Sequence, residues 1–186
     1  MDQITQEKPK MPRKTEKRST LHRDLFTLAQ LAFFCALMFA GKEIMNVLPN
    51  IHPVMLILLL CVRVYGGLAL YPVIGFVLLE LAIYGIGIWS VTYLYVWPLA
   101  VLLALPFRKT EGRLFWAVFA GAFGLAFGAL TAFYTVFLSG IKTAVAYWVS
   151  GIPFDIVHCV SNFTICYFLL PPLTELVRRL RNRTIR

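Results

Sequence analysis

The chain has 186 residues, 59% of them hydrophobic and 15% charged, with a mean hydropathy of +0.73 and a formal net charge of +9. Such usage excludes an ordinary water-soluble domain and predicts an all-α integral membrane protein. No nucleic-acid partner is expected of so apolar a chain.

Residues 1–23 are polar and carry Lys8, Lys10, Arg13, Lys14, Lys17, Arg18 and Arg23. The segment is too long and hydrophilic for the leader of a secretory signal and reads as a basic cytoplasmic tail. Hydropathy then marks six spans: Leu25 to Val47, Ile51 to Tyr65, Leu68 to Trp89, Thr92 to Pro106, Leu114 to Leu138 and Pro153 to Leu170. Together they form one substrate-binding membrane domain, residues 24–172, followed by a basic cytoplasmic tail, 173–186. The second and fourth spans fall short of the roughly 20 residues that cross a bilayer at right angles. They are expected to be tilted or partly re-entrant, unless their boundaries lie elsewhere.

Charge supports the even number. Apart from the N-terminal tail, the basic residues are Arg63, the group Arg108, Lys109 and Arg113, and the C-terminal Arg178, Arg179, Arg181, Arg183 and Arg186; only Lys42 and Lys142 remain. Six crossings keep every basic cluster on the cytoplasmic side, with both termini inside. The outer side then holds the Lys42 to Asn50 loop, the Ser90 region and the Ser139 to Ile152 connection. Pro153 suits a first helical turn, and Pro171 with Pro172 is expected to stop the last helix.

The first span carries Ala32, Ala36 and Ala40 at strict four-residue spacing. Small residues so spaced let another helix come close, which in lipid takes the place of a hydrophobic driving force. The stripe reads as a partner-docking face or as a seam within the chain. Span five has a similar groove, Ala117, Gly121, Gly124, Gly128 and Ala132, expected to seat a neighbouring helix. Cys35, Cys61, Cys159 and Cys166 all fall in apolar stretches with no metal-ligand spacing, and read as small buried hydrophobes.

Polar and aromatic residues gather in the outer half. Trp89, Trp97, Trp148, Tyr84, Tyr93, Tyr95, Tyr134 and Tyr147 lie there, against Trp116, Tyr65, Tyr71 and Tyr167 inside. A plain interfacial belt populates both boundaries, so the excess suggests rings that stack on a ligand. Two carboxylates, Glu80 and Asp155, fall within spans, where each needs a partner or water. Helical spacing puts Glu80, Tyr84 and Gly87 on one face and Asp155, His158 and Asn162 on another, and the two faces could meet across one cavity. Asp155 could instead cap the first turn after Pro153, and His158 could be a core histidine.

No phosphate-binding loop, HExxH, GxSxG or pair of intramembrane aspartates occurs, so neither a catalytic nor a metal residue is assigned. The stretches AFFCALMFAGKEIMNVLPN, LLELAIYGIGIWSVTYLYVWPL and YWVSGIPFDIVHCVSNF, taken with the basic N-terminus and the alanine stripe, give a pattern over residues 25–172 that resembles the substrate-binding S components of energy-coupling factor (ECF) vitamin transporters. The resemblance implies a multi-pass protein of the bacterial plasma membrane. It would capture a vitamin outside and deliver it to a transmembrane coupling protein and two ABC-type ATPases.

On that likeness Ala32, Ala36 and Ala40 contact the coupling helices. The pocket draws on Lys42, Asn46, Asn50, Glu80, Tyr84, Trp89, Tyr93, Tyr95, Trp97, Trp148, Asp155, His158 and Asn162. The chain binds no cofactor itself, ATP and Mg being used by the partner ATPases. The nearest subgroup is that for cobalamin; pantothenate, pyridoxine or a hydroxymethylpyrimidine are the smaller alternatives, with Lys42 or Lys142 as an anion partner. From other classes, a membrane enzyme using Glu80 or Asp155 with His158, or a helix-binding scaffold, fits the same residues.

Overall fold

A computed structural model describes residues 14–48 and 50–184. Most of the basic N-terminal tail, including Lys8, Lys10 and Arg13, and the terminal Arg186 lie outside the described residues. The described chain is helical, in the order α1 (Lys14–Ile44), α2 (Val54–Tyr65), α3 (Leu70–Tyr84), α4 (Ile88–Ala104) and α5 (Arg113–Thr184). Short 3-10 turns, Gly66–Ala69 and Leu105–Phe107, follow α2 and α4. Four helical stretches are long and apolar enough to cross a membrane: Arg23–Ile44, Val54–Tyr84, Ile88–Phe107 and Arg113–Arg183.

Two of the four are broken by glycines with positive φ. At Gly66 (φ 62, ψ −129) the chain leaves α2. Pro53 lies against Gly41 and Tyr65 donates to Gln30, so α2 runs antiparallel to α1. Gly75 lies against Cys35 and Glu80 pairs with Lys42, so α3 runs back alongside α1. Gly140 (φ 81, ψ 168) divides α5 into arms 113–139 and 141–184. Gly121 meets Cys159 and Phe163, Gly124 meets His158, and Gly128 meets Asp155, which makes the arms an antiparallel hairpin. The small-residue groove of span five therefore seats the second arm, as its spacing predicts.

The shortness of α2 has a physical reason. Every residue in it except Val64 is buried, so α2 is the bundle's central helix, its backbone enclosed by protein rather than lipid. Around it pack Leu31, Phe34 and Met38 of α1, Phe76 of α3, Trp97 of α4, and Trp116, Phe123 and Phe127 of α5.

Several expected boundaries need correction. The first helix begins at Lys14, inside the polar segment. The third ends at Tyr84, where Gly85 (φ 73) caps it by donating to the Leu81 carbonyl; this puts Glu80 near the helix end and Trp89 in α4. The expected Ser139 to Ile152 connection is helical, because the single left-handed Gly140 suffices to reverse the chain. Pro153 consequently sits inside a helix, and Asp155 is no first-turn cap. Pro171 and Pro172 do not stop the last helix either. Beyond them Thr174 donates to Leu170 O (2.7 Å), Arg63 donates to Thr174 (3.2 Å), and Arg181 donates to Val64 O (2.8 Å), so tertiary contacts hold the continuation in place.

The bundle's two ends differ. At one, the basic end, Glu111 accepts from Arg63 (2.6 Å) and Arg178 (3.0 Å), and Trp116 donates to Thr110 O (2.7 Å). Burial would raise the Glu111 carboxyl, but the two arginines outweigh it and hold the group below its usual value. This end also has a cleft of about 520 Å³ between Arg23, Tyr71 and Arg181; the other, the cavity end, carries two cavities with buried carboxylates in their walls.

Candidate functional site

The loop from Met45 to Pro53, the α3–α4 junction and the α5 hairpin meet at the cavity end. Lys42, in the last turn of α1, reaches Glu80 (2.7 Å) and its neighbour Glu43 (3.1 Å), and lies 4.7 Å from the centre of the Tyr84 ring. Tyr84 donates to Glu43 (2.5 Å). Glu80 is 5% exposed, and its second oxygen, Oε1, is buried with no hydrogen-bond partner among the described residues. Lys42, Glu80 and Tyr84 open onto a cavity of about 340 Å³ whose remaining wall is Asn46, Gly87, Trp89, Ser90 and Tyr93.

Trp89 is shared with a second cavity of about 360 Å³, lined chiefly by Asn50, Phe127, Thr131, Tyr147, Phe154 and Asp155. Asp155 is buried. Its Oδ1 accepts from the Gly128 backbone N–H (2.9 Å), while Oδ2 is buried and unpartnered. Only a glycine admits that carboxylate, since a Cβ at position 128 would stand 2.2 Å from Asp155 Oδ2. Asn50, with φ 59, donates to Phe154 O (3.0 Å) and accepts on its own carbonyl from Ser161 (3.1 Å), tying the first loop to α5.

Beneath the cavities lies a cluster of buried rings. His158 packs against Phe127 (4.9 Å between ring centres) and His52 (5.2 Å), and His52 against Trp97 (6.1 Å). Both ring nitrogens of His158, Nδ1 of His52, Nε1 of Trp97 and Nδ2 of Asn162 are buried without a partner in the protein. Burial, reinforced by the charge of Lys42, pushes His52 down to about 4, so its imidazole is neutral at physiological pH.

The sequence-derived residues thus divide by location. Lys42, Asn46, Glu80, Tyr84, Trp89 and Tyr93 line the first cavity, and Asn50, Trp89 and Asp155 the second. His158 and Asn162 lie below, lining neither. Trp97 is a core ring, 1% exposed. Tyr95 braces two helices by donating to Leu130 O (2.6 Å), and Trp148 is 41% exposed, away from both cavities. The Glu80, Tyr84 and Gly87 face lines one cavity, whereas of the Asp155, His158 and Asn162 face only Asp155 lines the other; the two cavities share Trp89. Sequence reasoning missed Glu43, Ser90, His52 and Thr131. Glu43 carried a signal, as the acidic neighbour of Lys42; His52 could be suspected only from its loop position beside Pro53.

Away from this site, Ala32, Ala36 and Ala40 are all exposed, while Leu31, Phe34 and Met38 form the buried face of α1. The stripe is not a seam within the chain. Other residues of α1, among them Phe33 and Leu37, wall an apolar groove of about 600 Å³ with Leu56 of α2 and Leu173 of the second arm of α5.

No protein-family model, curated protein or solved structure matches this chain.

Proposed function

We propose that the chain is the substrate-binding S component of an ECF-type transporter of the bacterial plasma membrane, which captures a small vitamin or vitamin precursor at the cavity end and passes it to ATP-driven partners. One observation carries the capture half of this reading. Glu80 and Asp155 each present a buried, unpartnered carboxylate oxygen at an aromatic-walled cavity of one shared end. Intramembrane polar groups left so are costly unless something bound completes them.

The delivery half is supported by the exposed alanine stripe, which offers a smooth face to a coupling helix. In this reading the chain is non-catalytic, the ATPases being separate subunits. On the same reading the chain crosses six times, with the glycine breaks at 66 and 140 dividing two of the four apolar stretches, and the positive-inside rule would then set the basic end and both termini in the cytoplasm. The cavity volumes lie at the low end of the 300–1,000 Å³ typical of ligand pockets, which favours pantothenate, pyridoxine or a hydroxymethylpyrimidine over a corrinoid.

The test is mass spectrometry of the small molecule retained by the purified chain, with co-purification of coupling and ATPase subunits from the native membrane. A stoichiometric vitamin and an associated ATPase are expected. A chain that retains nothing and associates with no ATPase refutes the proposal.

A further inference from the structure

Charge at the two cavities restricts what they can hold. At the first, a single ammonium, Lys42, already pairs with two carboxylates, Glu80 in the cavity wall and Glu43 outside it, so the three-residue cluster carries one net negative charge. The lysine is therefore committed and is no free partner for a ligand anion. The acceptor left over is Glu80 Oε1, on a side chain 6% exposed. The second cavity has no Lys, Arg or His in its wall, and its leftover acceptor is Asp155 Oδ2, on a residue 3% exposed. Each cavity thus offers an unsatisfied carboxylate oxygen. Their shared wall, Trp89, and the flanking Tyr84 and Tyr93 supply ring faces, which attract cations through their quadrupoles.

An anionic ligand would bring a second negative charge beside Glu80 or Asp155, whose own side chains are buried and therefore less screened by water than surface carboxylates. A planar cation with N–H donors does the reverse: it completes the orphan oxygen by a charge-assisted hydrogen bond and lies against the rings. We propose that the cavity end selects small, planar nitrogenous cations bearing N–H donors, such as a protonated aminated heterocycle, over neutral or anionic rings of the same size. This rests on the capture reading above and narrows its substrate class.

The experiment uses the full chain in lipid nanodiscs at pH 7 and three rings of one shape but different charge: benzamidinium, benzamide and benzoate. Calorimetric titration is expected to rank benzamidinium first, at least tenfold tighter than benzoate, with benzamide between. Glu80→Gln and Asp155→Asn should each shrink the cation-to-anion ratio by fivefold or more. Asn at 155 retains an acceptor for the Gly128 N–H, so this variant serves even if Glu80→Gln fails to fold. Benzoate binding as tightly as benzamidinium overturns the inference, as does a ratio unchanged in both variants, and so does the absence of binding by all three. A retained native vitamin that is anionic overturns the charge selection while leaving capture standing, whereas a chain that retains no vitamin at all removes capture itself.

Discussion

Replacing Gly124 by Ala tests whether the α5 hairpin closes by backbone contact. An added Cβ would stand 2.8 Å from both the carbonyl carbon and the oxygen of His158, and 3.0 Å from Cys159 N. Carbon atoms in contact rest at about 3.5–4.0 Å, so the arms must part by roughly 0.7–1.2 Å. They cannot do so locally: a Cβ at Gly121 would already touch Phe163 at 3.2 Å, and Gly128 is held by Asp155. Overpacking of this kind costs about 1–3 kcal/mol, against which alanine's better helix propensity returns up to about 1 kcal/mol. The net expectation is a loss of up to about 2 kcal/mol, read as a lower thermal midpoint in one fixed detergent. Because the displaced backbone carries His158 and lies one turn from Asp155, benzamidinium affinity should fall with it. Gly67→Ala is the control, since no heavy atom lies within 4 Å of its added Cβ, and it should be neutral or stabilising. If Gly124→Ala matches the control in stability, the arms are not in the backbone contact inferred here.

Ala36→Trp puts an indole on the exposed stripe of α1, and should abolish ATP-dependent uptake in membrane vesicles while leaving ligand affinity within about twofold; equal loss of both removes the docking assignment. At the basic end the two partners of one ion pair should respond unequally. The Arg63 side chain is 1% exposed and that of Glu111 is 66% exposed. Glu111→Gln leaves a buried cation with neutral acceptors, Thr110 O and Thr174, but without that counter-charge, and should cost up to about 3–5 kcal/mol, whereas Arg63→Met leaves a carboxylate that water and Arg178 still satisfy and should cost about 1–3 kcal/mol; the reverse order in thermal unfolding would contradict that burial. His52 predicts an acid-side loss. Its imidazole titrates near 6.5 when unfolded and at about 4 when folded, so the unfolded chain binds more protons between those values. The stability that neutral His52 contributes is complete above about pH 6.5 and falls away as pH drops towards 4. Wild type should therefore lose more of its thermal midpoint between pH 7 and 5 than His52→Gln, and equal losses would show that His52 is not buried neutral.

What could be read from the sequence follows from how local each signal is. Hydropathy alone yields the apolar helices, and four-residue spacing yields both small-residue faces. Only the structure separates the two, sending Ala36 outward and Gly124 inward, because spacing defines a face without saying what covers it. Glu80 and Tyr84 were legible together from helical spacing, and Lys42 joined them only through the family resemblance. Their pairing was not legible, and it reverses the role expected of Lys42 from anion partner to counterion. Pro153 and the Pro171–Pro172 pair misled for a shared reason. Proline removes a backbone donor and so marks helix ends on average, but distant contacts, here Arg63 with Thr174 and Arg181 with Val64, can hold a helix through the break. Trp97 and Tyr95 carry the composition of a ligand pocket, yet one fills the core and the other braces Leu130.

The two ends of the bundle solve the problem of intramembrane charge in different ways, and the difference locates function. At the basic end, Arg63 has Glu111, Thr110 O and Thr174 as acceptors, with only its Nε unpartnered, and Arg181 is spent on Val64 O and the Tyr65 ring. Removing any of these should cost stability, because the contacts are already made. At the cavity end, Glu80, Asp155, His52, His158, Trp97 and Asn162 keep buried polar atoms that no protein group satisfies. A fold gains nothing from such atoms in isolation, since each unmade bond costs free energy that an apolar residue of similar size would not. For Glu80 and Asp155, which stand in the cavity walls, that cost is accounted for if an occupant completes them. The occupied form should then unfold later than the empty one by the binding free energy, growing as RT ln(1 + [L]/Kd) with ligand concentration. Titrating benzamidinium against the thermal midpoint measures that increment, and Asp155→Asn should reduce it; Arg63→Met, at the other end, should lower the midpoint while leaving the increment intact.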